Sequence, residues 1–184
     1  MTLLTAQQMQ AATGCTPERA ARWLPHIERA CQLYDINTPK RLAAWLAQIG
    51  HESGRLRYTR EIWGPTPAQA RYEGRSDLGN RQPGDGKRYM GRGLIQITGR
   101  FNYRAVTAGL RLVRRDAPDF ERLPDQLEQP EWAALSAAWY WHSRNLSALA
   151  DAGQLELITR RINGGLNGQE ERVALYGAAL DALA

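Results

Sequence analysis

Glu52, Glu61 and Glu73 are the residues whose type and spacing could do chemistry, with Asp77 and Asp85 behind them. Two carboxyl groups in unlike surroundings can hydrolyse a glycosidic bond: one, kept protonated, donates its proton, and the other activates water or attacks. Glu52 ends an apolar helical stretch that Ser53-Gly54 closes. A carboxyl group there faces the negative end of the helix dipole, which disfavours its ionised form, as does partial burial beside Trp45 or Ile49. That is what a general acid needs near neutral pH. By position alone, the plainer reading of Glu52 is a surface glutamate at a helix end. Glu61 and Glu73 lie in the irregular segment that follows, where each is equally well a solvated charge or the partner of a nearby arginine. Chain length alone lets Glu61 lie anywhere from contact to roughly 30 Å from Glu52.

Other chemistries fall away. His51-Glu52 begins like a zinc-protease helix, but Arg55 stands where the second histidine belongs. His26, His51 and His142 are too scattered for a metal site, and no metal or organic cofactor is expected. Gly91-Arg92-Gly93 is not followed by the Lys-Ser or Lys-Thr of a phosphate loop, and no nucleophile elbow is present. Cys15 and Cys31 form no CxxC pair, and Cys31 on an apolar stripe reads as a buried free thiol. Trp63, Tyr72, Tyr89 and Tyr103 sit amid glycines and could line a saccharide groove; Trp23, Trp45, Trp132 and Trp139 fall on helical stripes and read as core.

The elements that must position these groups are mostly helices. Thr5 with Gln8 makes a capping box, and Gly14 ends that helix. Thr16-Pro17 and Thr38-Pro39 are further starts, and Gly54 is a stop. From Tyr58 to Gly93 the chain is rich in Gly, Pro, Asp, Asn and Arg, which predicts loops with a short β-hairpin or two. Leu94-Ile95-Gln96-Ile97-Thr98 fits a strand or the start of a buried helix. Pro130 opens a helix bearing Trp132, Leu135 and Trp139, with Trp141 off that stripe; Gly153 precedes one with Leu155, Ile158 and Ile162; the last carries Val173, Tyr176, Leu180 and Leu183. The outline is two helical lobes around a polar middle, a setting for a cleft.

With 184 residues, 43% hydrophobic and 23% charged, the chain suits one folded domain and can bury a core without staples. The net charge of +5 favours polyanions, but the basic clusters are short and no nucleic-acid motif is present, so no nucleic-acid partner is expected. The longest uncharged apolar run, Leu42 to Ile49, is too short to cross a bilayer, so no membrane insertion is expected. Met1-Thr2-Leu3-Leu4-Thr5 lacks a basic n-region, which predicts synthesis in the cytoplasm with no secretory signal.

Three stretches carry a family resemblance: Gly50-His51-Glu52-Ser53-Gly54, Tyr89 through Tyr103, and Thr159-Arg160-Arg161-Ile162-Asn163-Gly164-Gly165. In this order they resemble glycoside hydrolase family 19, most of all its short phage and prophage endolysins. The resemblance implies a mainly α, lysozyme-like fold with two lobes and a small β-hairpin element. It implies one catalytic domain over 1–184, with N-terminal helices in 1–37 and the motif-bearing region in 38–184. It makes Glu52 the general acid and Glu61, in Arg60-Glu61-Ile62-Trp63, the general base of an inverting reaction. Glu73 is the alternative base, because the second glutamate of plant chitinases lies farther along. Inversion needs carboxylates on the order of 6.5–9.5 Å apart. Thr98 would help position the attacking water. Gln96, Asn102 and Asn163 would bind the sugar chain, with Trp63, Tyr89 and Tyr103 as candidate walls. The implied substrate is the glycan strand of bacterial peptidoglycan, with chitin, or sugar binding without catalysis, as alternatives. The implied setting is a monomer that reaches the cell wall through a lesion made by a holin-type factor.

Overall fold

Threonine caps set where the helices begin. In the computed structural model, which describes residues 3–184, Thr5 Oγ1 accepts from the Gln8 N–H while the Gln8 side chain accepts from the Thr5 N–H, starting α1 (Ala6–Thr13). Gly14 ends it in the left-handed region at φ 66°. Thr16 caps α2 (Pro17–Leu33) and Thr38 caps α3 (Pro39–Glu52), each with proline in the first turn. A fourth cap lies inside the stretch expected to be loop: Thr66 and Gln69 form a capping box that starts α4 (Pro67–Ala70). A second single-turn helix, α5 (Asp85–Arg88), follows.

The rest is helical again: α6 (Arg100–Arg111), α7 (Pro130–Ser143), α8 (Leu146–Asp151), α9 (Leu155–Asn163) and α10 (Gln169–Leu183). A 3-10 segment, Pro124–Glu128, leads into α7. The mainly helical, lysozyme-like class stands, but the β element is smaller than expected. Among the described residues, β pairing outside helices is limited to the bridges Arg60 to Arg92 and Arg92 to Ile97. Leu94–Thr98 is neither strand nor helix. It is a tight turn closed by the Arg92–Ile97 backbone bonds, with Gln96 at φ 56°.

One hydrophobic cluster runs from Leu4 to Ala179. Trp45 and Trp141 lie fully inside it, and Cys15 and Cys31 are buried free thiols. Burial pushes the Cys31 thiol far up, the inert state of a structural cysteine. Of the expected stripe on the last helix, Tyr176, Leu180 and Leu183 pack against the core and Val173 is 50% exposed; Arg172, Leu175 and Ala179 are buried where α10 packs on α3. Gly168 permits the approach: a Cβ there would fall 2.0 Å from the His51 ring. Among the described residues no helix is long and apolar enough to cross a membrane.

Candidate active site

Glu52 is the last residue of α3, and its side chain is 18% exposed. Its Oε1 accepts a 2.5 Å bond from Nη2 of Arg172, whose side chain is fully buried. The same guanidinium donates to Gln48 Oε1, and Gln48 Nε2 donates to Thr159 Oγ1 at 3.1 Å. α3, α9 and α10 are thereby tied together behind the carboxylate. Glu52 Oε2 makes no hydrogen bond among the described residues and is free for a ligand.

Glu61 is held by neutral donors instead. Gln69 Nε2 and the Tyr72 hydroxyl donate to Oε1 at 3.0 and 3.4 Å, and the Gly91 N–H donates to Oε2 at 3.1 Å. The Glu61 N–H returns a 2.9 Å bond to the Gly91 carbonyl, so the two residues clasp each other. Gln69 does two jobs. Its Oε1 completes the Thr66 cap and accepts from the Gly64 N–H, while its Nε2 is aimed at Glu61. Gly91 leaves room for the neighbouring turn, because a Cβ there would lie 2.6 Å from Gln96 Oε1 and 3.3 Å from Thr98 Oγ1.

These contacts bring Glu61, Gln96 and Thr98 together. Gln96, Thr98 and Asn102 then wall a cleft of about 210 Å³ with Trp139, Tyr140 and Arg144. Of these, Tyr140 lies within reach of the Glu52 charge. Burial pushes that phenol up, Arg144 draws it down, and the Glu52 charge raises it again. Tyr72 reports Glu61 in the same way, raised first by burial and then by the Glu61 charge. Asn102 Nδ2 donates to the Thr98 carbonyl at 2.7 Å, and Thr98 Oγ1 donates to the Gln96 carbonyl at 3.0 Å. Asn163 ends α9 and is exposed, next to the cleft residue Ile162. Trp63 tilts against Tyr72 at 6.3 Å and lines a separate groove on the Glu61 side.

Two expected substrate residues are corrected. Tyr89 and Tyr103 are 1% and 0% exposed and pack edge to face at 5.3 Å, so neither offers a ring to a sugar. Their hydroxyls donate to the carbonyls of Glu121 and Met90, bonds that pin the Gly91 loop from below. Glu73 is committed elsewhere, since its two oxygens accept from the N–H groups of Gly84 and Gly86 at 2.6 and 2.8 Å. Asp85 is paired with Arg100 at 2.6 Å, and Asp77 with Arg75. Burial pushes the Asp85 carboxyl up, but Arg100 and the N–H groups of Gln82 and Arg81 outweigh it.

Sequence reasoning missed Arg172 and Gln69. Gln69 had a signal in Thr66-Pro67-Ala68-Gln69, the same capping pattern that was read at Thr5. Arg172 had a fainter one, a charge three and seven residues before the apolar Leu175 and Ala179 on one helix face. Among the described residues no three His, Cys, Asp or Glu side chains group as metal ligands.

A Haemophilus influenzae glycosyl hydrolase family 19 domain-containing protein is 37% identical over 165 residues, covering 75% of this chain and 78% of that protein. An Arabidopsis thaliana endochitinase is 39% identical over 126 residues, 68% of this chain but 40% of its own length. In structure, a bacterial family 19 chitinase superposes with TM-score 0.74 at 22% identity, covering 99% of this chain and 95% of its own. Chitinase C of Streptomyces griseus gives 0.74 at 22%, covering 99% and 77%. These structural likenesses speak for the fold. No family model matches the chain.

Proposed function

The chain belongs to glycoside hydrolase family 19, and from that premise we propose that it cuts the glycan backbone of bacterial peptidoglycan, by inversion, as an endolysin-type enzyme. The observation that carries the mechanism is the Gly91 loop, which clasps Glu61 and abuts Gln96 and Thr98, together with the Glu52 oxygen that Arg172 leaves free. Glu52 donates a proton from its free oxygen to the glycosidic oxygen, with Arg172 fixing the other oxygen. Glu61 takes a proton from water on the opposite face of the sugar. A carboxylate offers about four lone pairs, and Glu61 spends three on Gln69, Tyr72 and Gly91. The Thr98 hydroxyl, next to Gly91, orients that water. Water becomes the hydroxyl of the new reducing end, and the leaving sugar takes the Glu52 proton. Gln96, Asn102 and Asn163 supply polar contacts to the N-acetyl sugars. Trp139 and Tyr140 supply apolar wall along the cleft, with Arg144 stacked on the Tyr140 ring at 3.5 Å.

The basic balance of the chain supports an anionic wall polymer over neutral chitin. Chitin is the second reading, favoured by the likeness to the Arabidopsis endochitinase. Mass spectrometry of digests of purified peptidoglycan and of chitin oligosaccharides separates the two readings. New reducing ends from peptidoglycan are expected, and their identity names the linkage. Glu52→Gln, which keeps an acceptor for Arg172, should give folded protein that releases none. Cleavage of chitin alone would overturn the wall reading, and full lysis of permeabilised cells by Glu52→Gln would overturn the acid assignment.

A further inference from the structure

Glu61 lines a groove of about 630 Å³ that shares no wall residue with the cleft of Gln96, Thr98 and Asn102. Its walls combine Arg57, Arg60 and Lys87 with Tyr58 and Ile62, which are 38% and 74% exposed. Exposed apolar side chains beside cations make a surface for a ligand that is both anionic and partly apolar. The cations are free to bind. Arg57 stacks on Tyr58 at 5.0 Å, and neither Arg57 nor Lys87 has a carboxylate partner among the described residues. Arg60 reaches Glu128 only at 3.7 Å, and Glu128 is already held from behind by buried Arg92 at 2.8 Å. Glu61 is satisfied by its neutral donors. The groove continues past Arg60, Lys87 and Met90 into a neighbouring hollow of about 480 Å³.

We propose that this groove binds the carboxylate-bearing substituent of alternate sugars on the strand being cut, and so discriminates peptidoglycan from chitin. The proposal rests on the peptidoglycan reading above. N-acetylmuramic acid carries a 3-O-lactyl group extended by a short peptide with free carboxylates and alanine methyls; N-acetylglucosamine carries neither. Carboxylates match Arg57, Arg60 and Lys87 through charge-assisted hydrogen bonds, and methyl groups match Ile62 and Tyr58. Entry beside Glu61 lets a side branch leave the cleft while the sugar stays in it.

The test is the double variant Arg57→Gln with Lys87→Gln, compared with wild type on three substrates: purified peptidoglycan, glycan strands stripped of peptides by an amidase, and chitin oligosaccharides. Both side chains are exposed, so the melting temperature should hold. Expected is a fall of roughly five- to twentyfold in kcat/KM on peptidoglycan, with chitin cleavage within about twofold of wild type. The same fall on stripped strands, whose lactyl carboxylate the amidase has freed, shows that the groove takes a carboxylate at the lactyl position as well as one on the peptide. Wild-type rates on stripped strands assign it to the peptide. Lys87→Glu should deepen the loss on peptidoglycan alone. Unchanged peptidoglycan cleavage by the double variant, or an equal fall on chitin, overturns the groove proposal while leaving the wall reading intact. Wild-type protein that cuts chitin but no peptidoglycan overturns both.

Discussion

Glu52 and Glu61 are held by opposite means. Glu52 ends a long helix, and a fully buried arginine on α10 fixes one of its oxygens. Glu61 sits in a loop and is steadied by an amide side chain, a phenol and a backbone N–H, none of them charged. Long-range ionic support gives Glu52 a rigid place, at the cost of desolvating a cation that must stay paired. Local neutral support leaves Glu61 adaptable, on the wall of the basic groove and against the Gly91 loop. A proton donor that must meet one bridging oxygen suits the first arrangement. A base that must accept a mobile water suits the second.

The strongest way to break this contrast is Arg172→Met. It strands Gln48 and Glu52 without their shared donor and should cost about 3–5 kcal/mol in denaturant unfolding, with activity lost at temperatures where the protein stays folded. Removal without loss of stability would show that the pair is not a structural tie. Gln69→Ala comes next. It removes both the Thr66 cap partner and the Glu61 donor, so stability should drop about 1–2 kcal/mol. Its kcat should fall roughly tenfold with KM little changed, reflecting a wandering base. A KM effect alone would instead place Gln69 in sugar binding. Glu73→Gln should cost about 1 kcal/mol, since it weakens the bonds to Gly84 and Gly86. Activity within about threefold of wild type is expected, and a loss as deep as that of Glu61→Gln would restore Glu73 as the base.

The narrowest effect is confined to acid. Bonds from Arg104 and Arg100 outweigh burial and lower Glu121 from 4.5 to about 2. The folded value lies below the unfolded one, so this stabilisation is fully present above about pH 4.5 and fades as pH falls toward 2. Glu121→Gln should therefore flatten the acid limb of the stability curve over that window, by about 1–2 kcal/mol after screening by water. An unchanged limb would show that the arginines contribute nothing net.

The same contrast explains what could be read from sequence. Caps at Thr5, Thr16 and Thr38 were legible because each is settled within a few residues. So was the placement of Glu52 at the end of its helix. Its partner was not, because Arg172 lies 120 residues away and only tertiary packing joins them. Tyr89 and Tyr103 read as groove walls because glycines surround them. In the fold, the carbonyls of Glu121 and Met90 satisfy their hydroxyls, which lets the rings go into the core. The expected hairpin shrank to isolated bridges because Arg92, clamped by Glu128 and Asp125, holds that segment with side-chain bonds. The small α4 was overlooked because proline and glycine suggested only loop, although its capping box was written plainly in the chain.

The Arg172–Glu52 bond also fixes an order of events. A chain emerging from the ribosome presents Glu52, Glu61 and Thr98 long before it presents the guanidinium that secures Glu52. Between the synthesis of Thr98 and that of Arg172 the polypeptide thus holds every reactive group of the proposed mechanism in an unlocked form. The last helix is the key that arms it.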